Sequence, residues 1–280
     1  MPPQTPLEMS PLPLALLVFL VGACVGSFLN VCIARWPAEL SVVSPRSRCP
    51  NCAREIRWYE NIPVVSWLAM RARCRGCQLP ISPIYPVVEL LVAAGWVGAL
   101  VAFGPTLTAL RVAVLGTVLL GIAVTDAKHY LIPDGFTVFG LLWIAATAIA
   151  ALALGETGPF AGPYDALVGA CAGAGAIAIA GWLGEVVTKK EAMGFGDVTL
   201  MAVVGGAVGP GRALLTVFVG ALLGAVSFLL VVFPIVWLRG RRSGVPFAPP
   251  QVPFGVFLAP AAMITLLWGN QAIDWYLGKL

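Results

Sequence analysis

From Leu12 to Ile33 the chain runs 22 residues without a charged side chain. A helix of that length, rising 1.5 Å per residue, crosses the ~30 Å hydrocarbon core of a bilayer. Seven more apolar runs follow, near 83–103, 107–125, 135–154, 164–187, 198–209, 212–238 and 252–273. In lipid every backbone polar group has to be satisfied within the protein, so only helices and closed barrels span it. These runs are continuous and not alternating, which selects helices. The first is too long for the core of a cleaved signal peptide and no basic segment precedes it, so it reads as a retained helix. Composition agrees: 59% of residues are hydrophobic and 11% charged, against about 25% charged in soluble domains. The expected fold is an all-α integral membrane protein of about eight transmembrane helices. The sixth run is the shortest, and "GPGR" at 209–212 alone separates it from the seventh.

Charge sets the expected orientation. Eight of the 17 basic residues lie between Arg35 and Arg75. With eight crossings that loop shares a side with Lys128, Lys189, Lys190, Arg239, Arg241 and Arg242, leaving Arg111, Arg212 and Lys279 opposite. Basic loops stay in the cytoplasm. The large loop at 35–82 is therefore expected inside and both termini outside. A net charge of +4 needs no nucleic acid; the expected partner of this surface is the lipid bilayer.

The loop carries Cys49-x-x-Cys52 and, 21 residues on, Cys74-x-x-Cys77. Each pair sets two thiolates on one tight turn, and two such turns complete a tetrahedral four-sulfur zinc site. The alternative, two disulfides or free thiols, conflicts with a reducing cytoplasmic side. A closed four-sulfur site is structural, and Zn2+ there would staple a loop too small for a core of its own. Cys24, Cys32 and Cys171 lie in apolar runs and read as small hydrophobes.

Two acids stand at the ends of apolar runs. Asp126 closes the third run and Asp197 opens the sixth, directly after Gly194-Phe195-Gly196. By alternating topology both fall at the cytoplasmic edge, although they are 71 residues apart in sequence. Ionisable groups at such positions are expensive and usually functional. An acid at a helix N-terminus has a structural reading for Asp197, as a group favoured by the dipole; at a helix C-terminus Asp126 opposes it. Two neighbouring aspartates split their pKa values, so that one serves as base and one as acid toward a water. Gly194 and Gly196 would let the backbone turn sharply and an extended peptide lie close to Asp197. Asp134, after Pro133, reads as the cap of the next helix. His129 is the only histidine and reads as a loop residue. A transporter using the acids as ion sites would be expected to carry internal repeats, which the chain does not display. A zinc-loop scaffold would leave the paired acids unused.

Together "GACVGSFLNVCIARWP" at 22–37, the cysteine loop with "WYENIPVVSWL" and "ISPIYPVVE", "TDAKHYLIPD" at 125–134, "GFGD" at 194–197 and "PFGVFLAPAA" at 253–262 resemble the type IV prepilin peptidases, bacterial inner-membrane aspartyl proteases. The blocks extend over residues 22–262 in family order. The resemblance implies cleavage of the leader from type IV prepilins and type II secretion pseudopilins at the cytoplasmic face, with Asp126 and Asp197 as the catalytic pair. It implies S-adenosylmethionine as methyl donor for N-methylation of the new terminus, a step tied to the first helix and its loop. On that reading residues 1–106 form a methyltransferase region and residues 107–280 a six-helix protease domain. It assigns no donor-binding residues and no oligomeric state. The chain departs from the family twice: Ala72 stands where Gly is common before the second Cys pair, and Thr199 where Lys is common after the catalytic acid. The first departure bears on methyl transfer, the second on the tuning of Asp197.

Overall fold

The computed structural model describes residues 11–189, 193–236 and 252–279. Lys190, Arg239, Arg241 and Arg242, used above for orientation, lie outside the described residues. The elements are helical: α1 (Pro11–Arg35), a short α2 (Val65–Ala69), α3 (Ile84–Phe103), α4 (Leu107–His129), α5 (Asp134–Leu154), α6 (Pro163–Thr188), α7 (Phe195–Val208), α8 (Pro210–Ser227) and α9 (Gly255–Leu277). One π-turn, Phe228–Val232, carries α8 on to Val236. Over the described residues all eight apolar runs are helical, with ends shifted by a few residues where they can be compared.

Seven of these helices, among the described residues, are long and apolar enough to cross a membrane. The eighth, α7, has 14 residues, about 21 Å at 1.5 Å per residue, and falls short. Its length is not matched to the bilayer because lipid does not surround it. It packs against α5, α6, α8 and α9, and every residue from Val203 to Val208, with Leu200 and Met201, is buried. The break after it is local chemistry. Gly209 holds φ +83, a conformation favoured in glycine, and Pro210 follows at the first turn of α8, where its missing N–H is harmless.

The chain divides into two compact units, one up to Thr117 and one from Val118. In the first, α1 lies along α3. A Cβ at Gly22 would meet Ala93 Cα at 2.9 Å, and one at Gly26 would meet Glu89 Cα at 2.7 Å. In lipid, helices associate through such close packing and not by escaping water. The Trp96 indole donates to Thr117 Oγ1 at 3.0 Å, tying α3 to α4. In the second unit the backbones of α6 and α7 meet at Gly169 and Gly205, and Gly220 of α8 faces Leu258 of α9. These glycines thus serve packing inside each unit.

Candidate active site and cysteine cluster

The site of the two aspartates lies in the second unit and is built from three segments. Asp126 sits in the last turn of α4, which continues to His129, and its side chain is buried. The N–H groups of Gly255 and Val256, the first two residues of α9, point at its carboxylate. A helix N-terminus favours negative charge there, which offsets the adverse position of Asp126 at the end of its own helix. Oδ2 of Asp126 is buried and accepts no hydrogen bond among the described residues. Buried polar atoms are rarely left so, and this one faces the space beside Gly255. Asp197 is half-buried in the first turn of α7, and the charge of Asp126 acts on it directly.

Ile132 packs between these parts. A Cβ on Gly196 would lie 2.9 Å from Ile132 Cβ; one on Gly255 would lie 3.1 Å from Ile132 Cδ1 and 2.8 Å from Asp126 Oδ2. Gly196 is therefore needed for close approach, not for a sharp turn. Neither motif glycine has a positive φ. Gly194 caps α7 at φ −73°, ψ 147°, open to any residue, and a Cβ there would meet nothing within 4 Å. Asp134 is also not the cap expected. The cap of α5 is Pro133 and Asp134 is its first residue, with no side-chain capping bond, because proline already holds the extended conformation a cap needs. Thr199 turns its hydroxyl onto the Gly196 carbonyl at 3.0 Å and supplies no charge to Asp197. Gly255 and Ile132 had no assigned role in the sequence. Only long-range packing puts them beside Asp126.

The four cysteines of the first unit converge. All four Sγ atoms lie within 4.8 Å of one another, with Cys49 to Cys77 at 3.8 Å and Cys52 to Cys74 at 4.0 Å. A tetrahedron with metal–sulfur bonds of about 2.3 Å has S···S edges of roughly 3.8 Å, so the donor set fits zinc. Both turns share one design. Cys49 N donates to Arg54 O and Ala53 N to Cys49 O; Cys74 N donates to Leu79 O and Gln78 N to Cys74 O. Ala53 and Gln78, each four residues after the first cysteine, are left-handed at φ 55° and 59°. The N–H groups of Cys77 and then Gly76 push the Cys74 thiol down to about 6, and those of Cys52 and Asn51 lower Cys49. Cys77 moves to about 11: the Leu79 N–H lowers it, but burial and proton sharing with the other sulfurs outweigh that. Four thiols this close cannot all ionise without a cation among them.

Glu60 joins the two turns. Its carboxylate is buried and accepts both oxygens' bonds from Arg54 Nη2, at 2.8 and 3.1 Å, with Arg57 N at 3.1 Å; Arg75 from the second turn lies 3.6 Å away. The Arg54 hydrogen bonds, then the Arg57 N–H and the two guanidinium charges, hold it below the usual carboxylate range.

Residues 113–229 match the family model described as the type IV leader peptidase family, and residues 20–103 match the bacterial peptidase A24 N-terminal domain. A prepilin leader peptidase/N-methyltransferase of Stutzerimonas stutzeri is 37% identical, covering 98% of both chains. Its namesake in Pseudomonas aeruginosa is 38% identical over 95% of this chain and 94% of its own. One from Myxococcus xanthus is 43% identical over 78% of this chain and 63% of its own. No solved structure matches the chain.

Proposed function

Because the chain belongs to the type IV leader peptidase family, we propose that it removes the leader from type IV prepilins and type II secretion pseudopilins with a water activated between Asp126 and Asp197. It is a multi-pass membrane enzyme, a peptidase with methyltransferase activity. The observation that carries the peptidase mechanism is that the start of α7 at Gly196 and the Asp126 side chain beside Gly255 meet around Ile132, near enough for the charge of Asp126 to act on Asp197. One carboxylate takes a proton from water as the hydroxyl attacks the scissile carbonyl. The other, protonated, donates to the carbonyl oxygen and later protons pass to the leaving amine. Oδ2 of Asp126, without a donor among the described residues, is the acceptor available to that water. The first two N–H groups of α9 hold the Asp126 carboxyl in place.

The active site and cysteine loop face the cytoplasm of the bacterial inner membrane on this reading, supported by the basic residues of the loop. The four cysteines hold a structural zinc that has no open position for chemistry. The amine freed by cleavage is then methylated. S-adenosylmethionine, when bound, supplies a methyl group on a sulfonium sulfur; the amine must be neutral to attack it.

The test is cleavage of a leader-bearing prepilin by Asp126→Asn and Asp197→Asn proteins that insert normally. Each loses at least ~1,000-fold in rate, by analogy with other removed acid–base groups. Cleavage retained in both would refute the mechanism. Mass spectrometry of the wild-type product reads the second step: the leader mass is lost, and one methylene is gained only when the methyl donor is present.

A further inference from the structure

The first unit holds a cavity of about 270 Å³ between α1, α3 and the cysteine loop, near the lower end of the ~300–1,000 Å³ typical of small-molecule sites. Its wall includes Asn30, Asn61, Trp67, Tyr85 and the arginines Arg48 and Arg75. Glu89 of α3 is also part of the wall and is 8% exposed. Its Oε2 accepts the Val64 N–H at 2.7 Å, and the Ser27 hydroxyl of α1 bonds to the same carboxylate. The amide donates and the hydroxyl can donate, so the side chain is arranged as an acceptor. Both are neutral. Among the described residues no ion pair involves Glu89, in contrast to Glu60 on the same cavity, which has two arginines.

A buried carboxylate is costly unless a cation answers it. The fold spends strain to hold this one. Val64 sits at φ 60°, ψ −51°, a conformation β-branched residues avoid, and such strain gathers at ligand clamps and active sites. The Glu89 backbone also lies against Gly26 of α1, where a Cβ would meet Glu89 Cα at 2.7 Å. Glu89 thus joins α1, α3 and the loop and sets a carboxyl group with no ion-pair partner among the described residues in the wall of a cavity that also offers aromatic rings and guanidinium groups. That combination suits a small zwitterion with an aromatic ring and an added cationic centre.

We propose that this cavity binds the sulfonium methyl donor and that Glu89 is the counter-charge to its cationic end. The inference rests on the methyl-transfer half of the proposed function and goes further by naming the site and the discriminating residue. A sulfonium carries a charge that the thioether product lacks, so a carboxylate at this position favours the donor over the spent product and aids exchange.

Equilibrium dialysis of the full chain in detergent, with S-adenosylmethionine and S-adenosylhomocysteine as probes, tests this. The wild type binds the charged donor at least about tenfold more tightly than the neutral product. Glu89→Gln keeps its affinity for S-adenosylhomocysteine within a few-fold and loses the preference, with elution and thermal unfolding like wild type. A preference unchanged in Glu89→Gln overturns the assignment, and so does equal loss of both ligands from a folded variant. A wild type that binds neither compound overturns methyl transfer itself, and this site with it. In case Glu89→Gln does not fold, photo-crosslinking of an azido-adenosyl donor to unmodified protein gives an independent reading. Label within 61–70 or 81–89 is expected; label confined to other peptides overturns the site.

Discussion

Gly196→Ala separates the packing role of this glycine from a turn role. The added methyl would stand 2.9 Å from Ile132 Cβ and 3.4 Å from its Cγ1. Ordinary carbon contacts begin at about 3.5–4.0 Å, so Ile132 and α7 must part by roughly half an ångström or more. The nearest atom is Cβ, fixed to the backbone, so a rotamer change gives no relief. Overpacking of this kind costs about 1–3 kcal/mol. Ile132 also packs on Gly255, and Gly255 abuts Asp126 Oδ2, so the strain reaches both carboxylates. Displacement by ~1 Å can cost 10²-fold in rate. Leader cleavage by Gly196→Ala is thus expected to fall about 10- to 100-fold in kcat, with a smaller change in KM. The assay is a time course of prepilin cleavage in detergent micelles, with thermal unfolding alongside. Gly194→Ala is the comparison: its ordinary backbone and empty surroundings leave stability at the wild-type level. Wild-type kcat in Gly196→Ala, or equal destabilisation by the two substitutions, would refute the packing argument.

Other outcomes follow from the first unit. Between residues 39 and 82 the buried side chains are Cys49, Cys74 and Glu60, so this loop has no apolar core, and a chelator should unfold it. Limited trypsin digestion should then open sites between Arg46 and Arg75, and added zinc should close them. Glu60 has a lowered pKa, so its contribution to loop stability is fully present above the ordinary carboxylate value. It is lost as pH falls below about 4.5 and through the lower folded value. Glu60→Gln should remove that acid limb of a zinc-release curve and weaken zinc retention at neutral pH. Ala72 is held at φ 57° by bonds from its N–H to Trp67 O and from Ile81 N–H to its carbonyl. Gly at this position relieves about 1–2 kcal/mol of left-handed strain and gains unfolded-state entropy worth about 0.4–1 kcal/mol. Ala72→Gly should therefore stabilise the loop by about 0.5–1 kcal/mol, read as slower zinc loss to a chelator; faster loss would contradict the left-handed assignment.

The left-handed Ala72 gives a structural meaning to one departure from the family pattern. The residue is strained but its hydrogen bonds are made, so the second cysteine turn keeps the design of the first. Thr199 is simpler, since its hydroxyl is engaged by its own helix.

The apolar runs, the two cysteine pairs and the acids at run ends were legible from sequence because each depends on local spacing. A run of ~20 uncharged residues has one solution in lipid, and two Cys-x-x-Cys turns can each form without help. The acids could be put on one face by counting crossings. What no local pattern carried was tertiary. The short α7 is a helix shielded by protein, which its apolar composition cannot distinguish from one shielded by lipid. Ile132, Gly196 and Gly255 are far apart in sequence, and only interhelical packing makes them one wall around Asp126. The N-terminus of α9 reaches Asp126 across more than 100 residues, and Glu89 meets Val64 and Ser27 from three different segments. Local chemistry thus decides which residues exist at the edge of the membrane. Contacts whose energy is realised only once the helices have packed decide which of them face each other.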